Sequence, residues 1–415
     1  MGRTRQKNDV TIIGGGVVGV ACALELARRG ADVRVLERGR IGHGCSFGNA
    51  GWLTPSLALP LAAPGQTLKA FGWLLDRDSP FYIRPRLDPA LAGWLIRFLL
   101  NSRTKPYERG ARALVELARR SVDWWEDLAA RGGEFQFERN GLVLVYESKP
   151  ALAAGLARAR FTQQFGIPFE RWDAERVRSE EPAIEGKQVG GVFFPDDARC
   201  DPFLAVRSLA AEAERQGVRF EENTEVLDVT RNGSGSVVVT GNGTVRASEV
   251  VLAAGAWSGS LGRRFGLRLP MLGAKGYSVL APRAEPHPTR SIYLAERKIA
   301  INPHRDALRI AGTLELVGED LSLDRRRASA MIRGAQGMLN MGPIEPETAD
   351  VWCGLRPCTS DGMPAIGRAK DGIWIATGHQ MTGLKTAPAT GRLLAELISG
   401  ETPSVDPAPF RADRF

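Results

Sequence analysis

Residues 10–38 read VTIIGGGVVGVACALELARRGADVRVLER. An apolar strand runs into the turn Gly14-x-Gly16-x-x-Gly19, then an amphipathic helix, a second strand and Glu37. Gly14 permits the tight turn off the strand. Gly16 lets the main chain approach a pyrophosphate, and Gly19 lets the helix pack hard on the sheet. Val17 and Val18 open that helix, whose N-terminus offers unpaired N–H groups and a positive dipole end to phosphates. Glu37 stands where a carboxylate accepts hydrogen bonds from a ribose hydroxyl. The strand before, the helix after and the acid beyond turn a common glycine pattern into a dinucleotide site. Glu37 suits NAD or FAD. Arg38 beside it favours a 2′-phosphate, but the preceding acid argues against NADP.

Working outward, 415 residues suffice for two domains, each with its own core. The 43% hydrophobic and 25% charged fractions are those of an ordinary globular protein. Cys22, Cys45, Cys200, Cys353 and Cys358 form no CxxC, and only four histidines accompany them, so no metal site is expected. The scattered cysteines suit a reducing compartment. The basic start MGRTRQK runs straight into the first strand with no signal peptide, so a cytoplasmic location is expected. The net charge of +8 is spread along the chain without a Lys/Arg tract, which argues against nucleic acid. The same charge suits peripheral contact with an anionic membrane surface. No stretch reaches the roughly twenty apolar residues of a membrane-spanning helix. The Pro-, Trp- and Leu-rich segment 51–90 reads as a substrate lid or domain connection rather than a bilayer anchor.

Periodicity predicts a helix over 107–131, with Trp124 and Trp125 in its packed face, a strand over 141–148 and a helix near 150–165. Another helix is expected from about 202 to 216, with Pro202 in its first turn, followed by short strands at turn-rich spacing. EVVLAAG (249–255) and GIWIATG (372–378) are apolar strands ending in small residues, which suits a parallel sheet beside a ligand. A helix is expected near 324–340 and a last one after 382. The expected fold class is α/β: a Rossmann-like dinucleotide-binding domain from residues 1–52, 187–270 and 350–415. It is interleaved with an α+β substrate domain on an antiparallel sheet, residues 53–186 and 271–349.

Several collinear stretches then resemble one family. They include GGGVVGVACALELARRG, SFGNAGWLTPS (46–56), APGQTLKAFGWLL (63–75), FPDDARCDP (194–202), LAAGAWS (252–258) and GAKGYSV (273–279). CGLRPCTSDGMPAIG (353–367) and ATGHQMTGLKTAPATGRLLAELISG (376–400) complete the set. Together they resemble the D-amino acid oxidase family of FAD-dependent amine oxidoreductases, and within it the bacterial D-amino acid dehydrogenases of the small-subunit type. The resemblance implies FAD rather than NAD; without a specific signal for a covalent link, noncovalent FAD is expected, with an amino acid substrate and a quinone or other electron acceptor. Oligomers are compatible with it. The chain departs from the pattern at GHQMTGLKTAP, where those dehydrogenases carry GHGxxGW. Glycine and sarcosine oxidases and D-hydroxyproline dehydrogenases share the frame and are the alternative, as is a non-catalytic flavin-binding subunit.

The resemblance assigns Arg356, in GLRP, to the substrate carboxylate, which a guanidinium grips with two parallel hydrogen bonds. Tyr277, in KGYS, is the expected hydroxyl donor to the same carboxylate, with Tyr293 a weaker candidate. Gly378, His379, Gln380, Met381, Thr382, Gly383 and Leu384 pass the flavin edge, where main-chain N–H groups stabilise charge near N1. His379 is also a candidate base, and Lys385 is expected to be a solvated helix lysine. Ser46, Asn49, Ala50 and Gly51 are expected along the flavin and pyrophosphate, Val226 against the adenine, and Ala254, Gly255 and Trp257 close to the ligand.

Overall fold

A computed structural model describes residues 9–64, 81–84, 87–233, 235–369 and 372–415. The strand Asp9–Ile13 lies inside a six-stranded sheet, between Glu249–Leu252 and Asp32–Leu36. Trp374–Thr377 and then Ala365–Arg368 extend it on one side, Arg219–Glu221 on the other. Every pairing is parallel except that of the edge strand Ala365–Arg368. Parallel strands are buried on both faces, so both need cover. Val10, Ile12, Val33, Val35 and Val251 pack toward the helices, while Ile13, Leu36, Val250, Leu252 and Ile375 form a second cluster. A three-stranded antiparallel sheet, 226–247, adds Val226, Val229 and Val238 to that cluster.

The first helix, Val17–Ala27, packs on the closing helix, Gly383–Ser399. A side chain at Gly391 would stand 2.5 Å from the main chain of Ala21, so a glycine there sets the closeness of the pair. Thr104–Ala130 packs on the closing helix in turn, and Trp125 donates its indole N–H to Leu384 O at 3.0 Å. Trp125 is fully buried and Trp124 lies edge-on against it. Core packing of this pair follows the helical spacing.

A nine-stranded mixed sheet forms the second layer. Its order is Trp352–Thr359, Met271–Pro282, Ala307–Leu316, Ile299–Pro303, Ser291–Leu294, Leu142–Tyr146, Gly190–Phe194 and Glu170–Trp172, with Phe81–Ile83 beside Ala307–Leu316. It is antiparallel except where Ser291–Leu294 meets Leu142–Tyr146 and where Phe81–Ile83 joins. Gly190–Phe194 and Trp352–Thr359, which the expected boundaries at 187 and 350 give to the dinucleotide-binding part, pair in this second sheet instead. GGVFF is a short apolar run and WCGLRPCT carries no alternation, and neither pattern says which sheet a strand joins. The far face of this sheet is covered by Arg325–Gln336. Part of the expected lid, with most of APGQTLKAFGWLL, lies outside the described residues. Among those described, no helix is long and apolar enough to cross a membrane.

Candidate active site

The glycine turn has the expected geometry. Gly14 has φ +110° and donates its N–H to Leu36 O at 2.9 Å. A Cβ on Gly19 would lie 2.0 Å from Gly14 O, so only glycine permits this crossing of helix and turn. A Cβ on Gly16 would meet nothing nearer than Ser46 Oγ at 3.7 Å, which leaves that side open toward a cleft. Glu37 accepts from Gly15 N at 2.7 Å and Gly39 N at 2.9 Å, and it borders the same cleft.

That cleft has a volume of about 350 Å³. Gly14, Gly16, Val17 and Val18 border it, with Glu37 and Arg38 from the second strand's end. Ser46 and Asn49 enter from the following loop, and Ser46 Oγ accepts from Val17 N at 3.2 Å. Val226, Ala254, Gly255 and Trp257 border it, as do His379, Gln380, Gly383 and Leu384. The Arg38 guanidinium stacks 3.8 Å over the Trp257 ring, so its charge is held by an aromatic face. Thr224, Ser260, Arg264 and Glu319 also line the cleft, without any motif in the sequence to mark them. A helix N-terminus, an acid at the ribose distance and open main chain at Gly16 make a donor set that fits FAD.

Six expected cofactor contacts do not border the cleft: Gly19, which packs at the crossing of helix and turn, Ala50, Gly51, Gly378, Met381 and Thr382. Gly51 (φ +78°) abuts Cys200 O, and Gly378 (φ +80°) abuts Thr359, so each shapes a turn. Ala50 and Met381 border a second cavity. Within 378–382 the N–H groups of Gln380 and Thr382 are already used, by Pro357 O at 2.9 Å and His379 O at 2.8 Å. Gly383 and Leu384 start the closing helix, whose first N–H groups have no intrahelical partner. The His379 ring is buried and bonded to Thr390 Oγ1 at 3.1 Å, and burial pushes its pKa down to about 3. A neutral imidazole pointed into the closing helix corrects the expectation of a base. What the residue offers the cleft is its main chain.

The second cavity, about 700 Å³, adjoins the cleft, since Cys45 and Asn49 border both. Its walls are apolar: Leu57, Leu61, Phe81, Trp94, Phe98, Leu314 and Trp352 among others. Trp52 and Trp94 are pinned by indole N–H bonds to Ile301 O and Cys358 O. Arg356 lies in this wall. Its guanidinium donates to Thr313 O at 2.6 Å and Gly312 O at 3.4 Å. Both carbonyls are aimed by a β-bulge: the register between Met271–Pro282 and Ala307–Leu316 shifts at Lys275/Tyr277, and Thr313 takes φ +60°. A β-branched residue at positive φ is strained. Its local return is a second carbonyl on Arg356. Opposite the bulge, a Cβ on Gly276 would stand 2.3 Å from that guanidinium, so Gly276 makes the space it fills.

Tyr277 is the clearest correction. It borders the chamber, but its ring belongs to the cluster on the far face of the sheet. Its hydroxyl bonds Glu315 and accepts from Asp324 N at 3.3 Å. Side chains alternate along a strand, so Gly276 facing Arg356 turns Tyr277 away. Tyr293 also borders the chamber, edge-on to Trp52, and burial raises the pKa of its hydroxyl. Lys385 is buried, not solvated, and donates to Thr54 O at 3.2 Å and Thr54 Oγ1 at 2.5 Å. Burial lowers its pKa against the opposing charge of buried Asp197. Asp197 in turn accepts from Ser56 N at 3.2 Å and from Ser56 Oγ. A single lysine in a helical pattern carries no sign of the acid it will meet 188 positions away.

Comparison with known proteins follows the same lines. The family model described as FAD dependent oxidoreductase (DAO) matches residues 9–397. D-amino acid dehydrogenase of Cereibacter sphaeroides is 34% identical over 415 residues, covering 98% of this chain and 95% of that protein. The D-amino acid dehydrogenase of Methylobacterium radiotolerans is 36% identical over 407 residues, 95% of this chain and 97% of that one. The crystal structure of glycine oxidase from Geobacillus kaustophilus superposes with a TM-score of 0.78 at 24% identity, over 99% of each chain. At that identity the likeness is one of fold.

Proposed function

Because the chain belongs to the family of FAD-dependent oxidoreductases, we propose that it oxidises D-amino acids. The products are the 2-oxo acid and ammonia, and the electrons go to a quinone or another carrier on the cytoplasmic side. The observation that carries this reading is Arg356, a guanidinium pinned by two main-chain carbonyls in the wall of an apolar chamber that adjoins the dinucleotide cleft.

The Gly14–Gly19 turn and the first helix would hold the pyrophosphate of FAD, Glu37 a ribose hydroxyl, Val226 the adenine, and Gly383 and Leu384 the flavin edge. Bound FAD supplies the acceptor for the hydride that leaves the substrate Cα. Arg356 keeps donors free beyond the two spent on Thr313 and Gly312, and these take the substrate carboxylate. The Tyr293 hydroxyl, rather than that of Tyr277, is placed to donate beside it. The apolar walls keep water from the reacting carbon, and holding it in register contributes several kcal/mol. The amine must be neutral before hydride leaves. With His379 turned into the closing helix, its proton goes to solvent as the substrate enters. The imino acid hydrolyses after release.

Glycine and sarcosine fit this reading less well, since a chamber of about 700 Å³ far exceeds what either fills. An anaerobic absorbance spectrum tests the reading. Flavin bands that bleach with D-amino acids and persist with their L-isomers are the expected result. Bleaching by glycine, sarcosine or hydroxyproline alone would move the substrate. Bands that no amine bleaches would make the protein a non-catalytic flavin carrier. A protein that takes up no FAD would overturn the reading altogether.

A further inference from the structure

One α-carboxylate needs one guanidinium, yet four cationic side chains border the substrate chamber: Arg158, Lys298, Arg356 and Lys385. No carboxylate among the described residues borders it. Two of the four have evident work, Arg356 on the Thr313 bulge and Lys385 on Thr54. Arg158, on the half-exposed side of the helix Lys149–Gln163, is different. It makes no hydrogen bond, ion pair or ring contact with any described residue, although it reaches an apolar cavity. Tyr107 and Tyr293 border the same chamber; burial raises the pKa of both hydroxyls, and the Arg158 charge is the leading opposing effect. Tyr293 borders the chamber together with Arg158 and Arg356. Arg158 thus brings to a wall without carboxylates, among the described residues, a positive charge that an anionic ligand can pair.

We propose that the chamber takes a doubly anionic amino acid: Arg356 holds the α-carboxylate, and Arg158, with the Tyr107 hydroxyl, holds a second carboxylate across an apolar spacer. That second group sits on the side chain or on the amine substituent. The inference rests on the D-amino acid reading for its substrate, but the charge of the chamber is testable apart from it.

Adipate and hexanoate have the same length and differ in one terminal carboxylate. Binding of each to the holoenzyme is read from tryptophan emission, since Trp52, Trp94 and Trp352 border the chamber. By solvation alone hexanoate, the more apolar, binds better. The proposal expects adipate to bind about tenfold tighter, the scale of one charge-assisted contact. Arg158→Met is expected to abolish that ratio and leave hexanoate unchanged, which also reports that the variant is folded; Arg158→Gln serves if it is not. Hexanoate binding as tightly as adipate, or a ratio that survives both substitutions, overturns the proposal. Replacing the anions with D-2-aminoadipate and D-norleucine, followed by flavin bleaching, separates the two source positions. Reduction by D-2-aminoadipate puts the second carboxylate on the side chain. Reduction only by N-carboxyalkyl amino acids puts it on the amine. A retained adipate preference without bleaching by any D-amino acid would sink the proposed function and leave this inference standing.

Discussion

The cofactor cleft and the substrate chamber adjoin through Cys45 and Asn49, but they are built by opposite means. The cleft is made of main chain. Its decisive features are glycines, a helix start and one carboxylate, all within thirty residues of one another along the sequence. The chamber is made of side chains from strands, loops and helices scattered between residues 45 and 385. Local geometry can be written in local sequence; a wall assembled from distant strands cannot.

The contrast can be broken at the glycines, where the largest effect is expected. Gly19→Ala drives a methyl to 2.0 Å from Gly14 O, and overpacking against rigid backbone costs about 3 kcal/mol. The variant should purify without flavin and melt early. Gly16→Ala meets no such wall; it should leave the melting of the apo-protein unchanged and weaken FAD binding about 100-fold, near 3 kcal/mol. Equal melting losses for both would mean that the cleft is not a main-chain device. In the chamber, Arg356→Lys keeps the charge and removes the fork. Steady-state kinetics should show kcat/KM down about 100-fold with the flavin spectrum intact. Unaltered affinity for a carboxylate inhibitor would remove Arg356 from the site.

The next test lies at the border of the two regions. His379 is depressed from 6.5 to about 3, so below 6.5 the unfolded chain binds a proton that the folded one refuses. Stability from this group is therefore present near neutrality and lost as pH falls through that window. The loss is about 2–3 kcal/mol by about pH 4.5, at 1.36 kcal/mol per unit. Urea midpoints of wild type and His379→Gln should diverge at neutral pH and converge in acid. Parallel curves would place the imidazole in contact with water. The smallest effect separates two tyrosines. Tyr293→Phe should raise KM several-fold, about 1 kcal/mol, with stability unchanged. Tyr277→Phe should do the reverse, since its hydroxyl serves Glu315 and Asp324 rather than the chamber.

The legibility of the chain divides along the same border. The parallel order about Asp9–Ile13, the long helices and most of the cleft follow from glycine spacing, periodicity and apolar runs. The motif GLRP marked Arg356, which lies in the chamber wall. Tyr277 was misread because a bulge at Thr313 and the alternation along one strand decide which way it points, and neither leaves a local mark. Gly276 is the signal that was available: a glycine inside a strand implies a close neighbour, here the guanidinium of Arg356. Arg158 and the burial of Lys385 had no signal, since a helix pattern does not say what faces it.

The six-stranded sheet carries one more consequence. Its members Asp9–Ile13 and Trp374–Thr377 flank the same strand, yet nearly the whole chain is synthesised between them. On the ribosome the glycine turn emerges long before the strand Trp374–Thr377 that completes its sheet and the closing helix that packs on Val17–Ala27. The parallel unit Asp9–Leu36 therefore leaves apolar surface uncovered through much of synthesis, the kind of interval in which a nascent chain is open to misassociation.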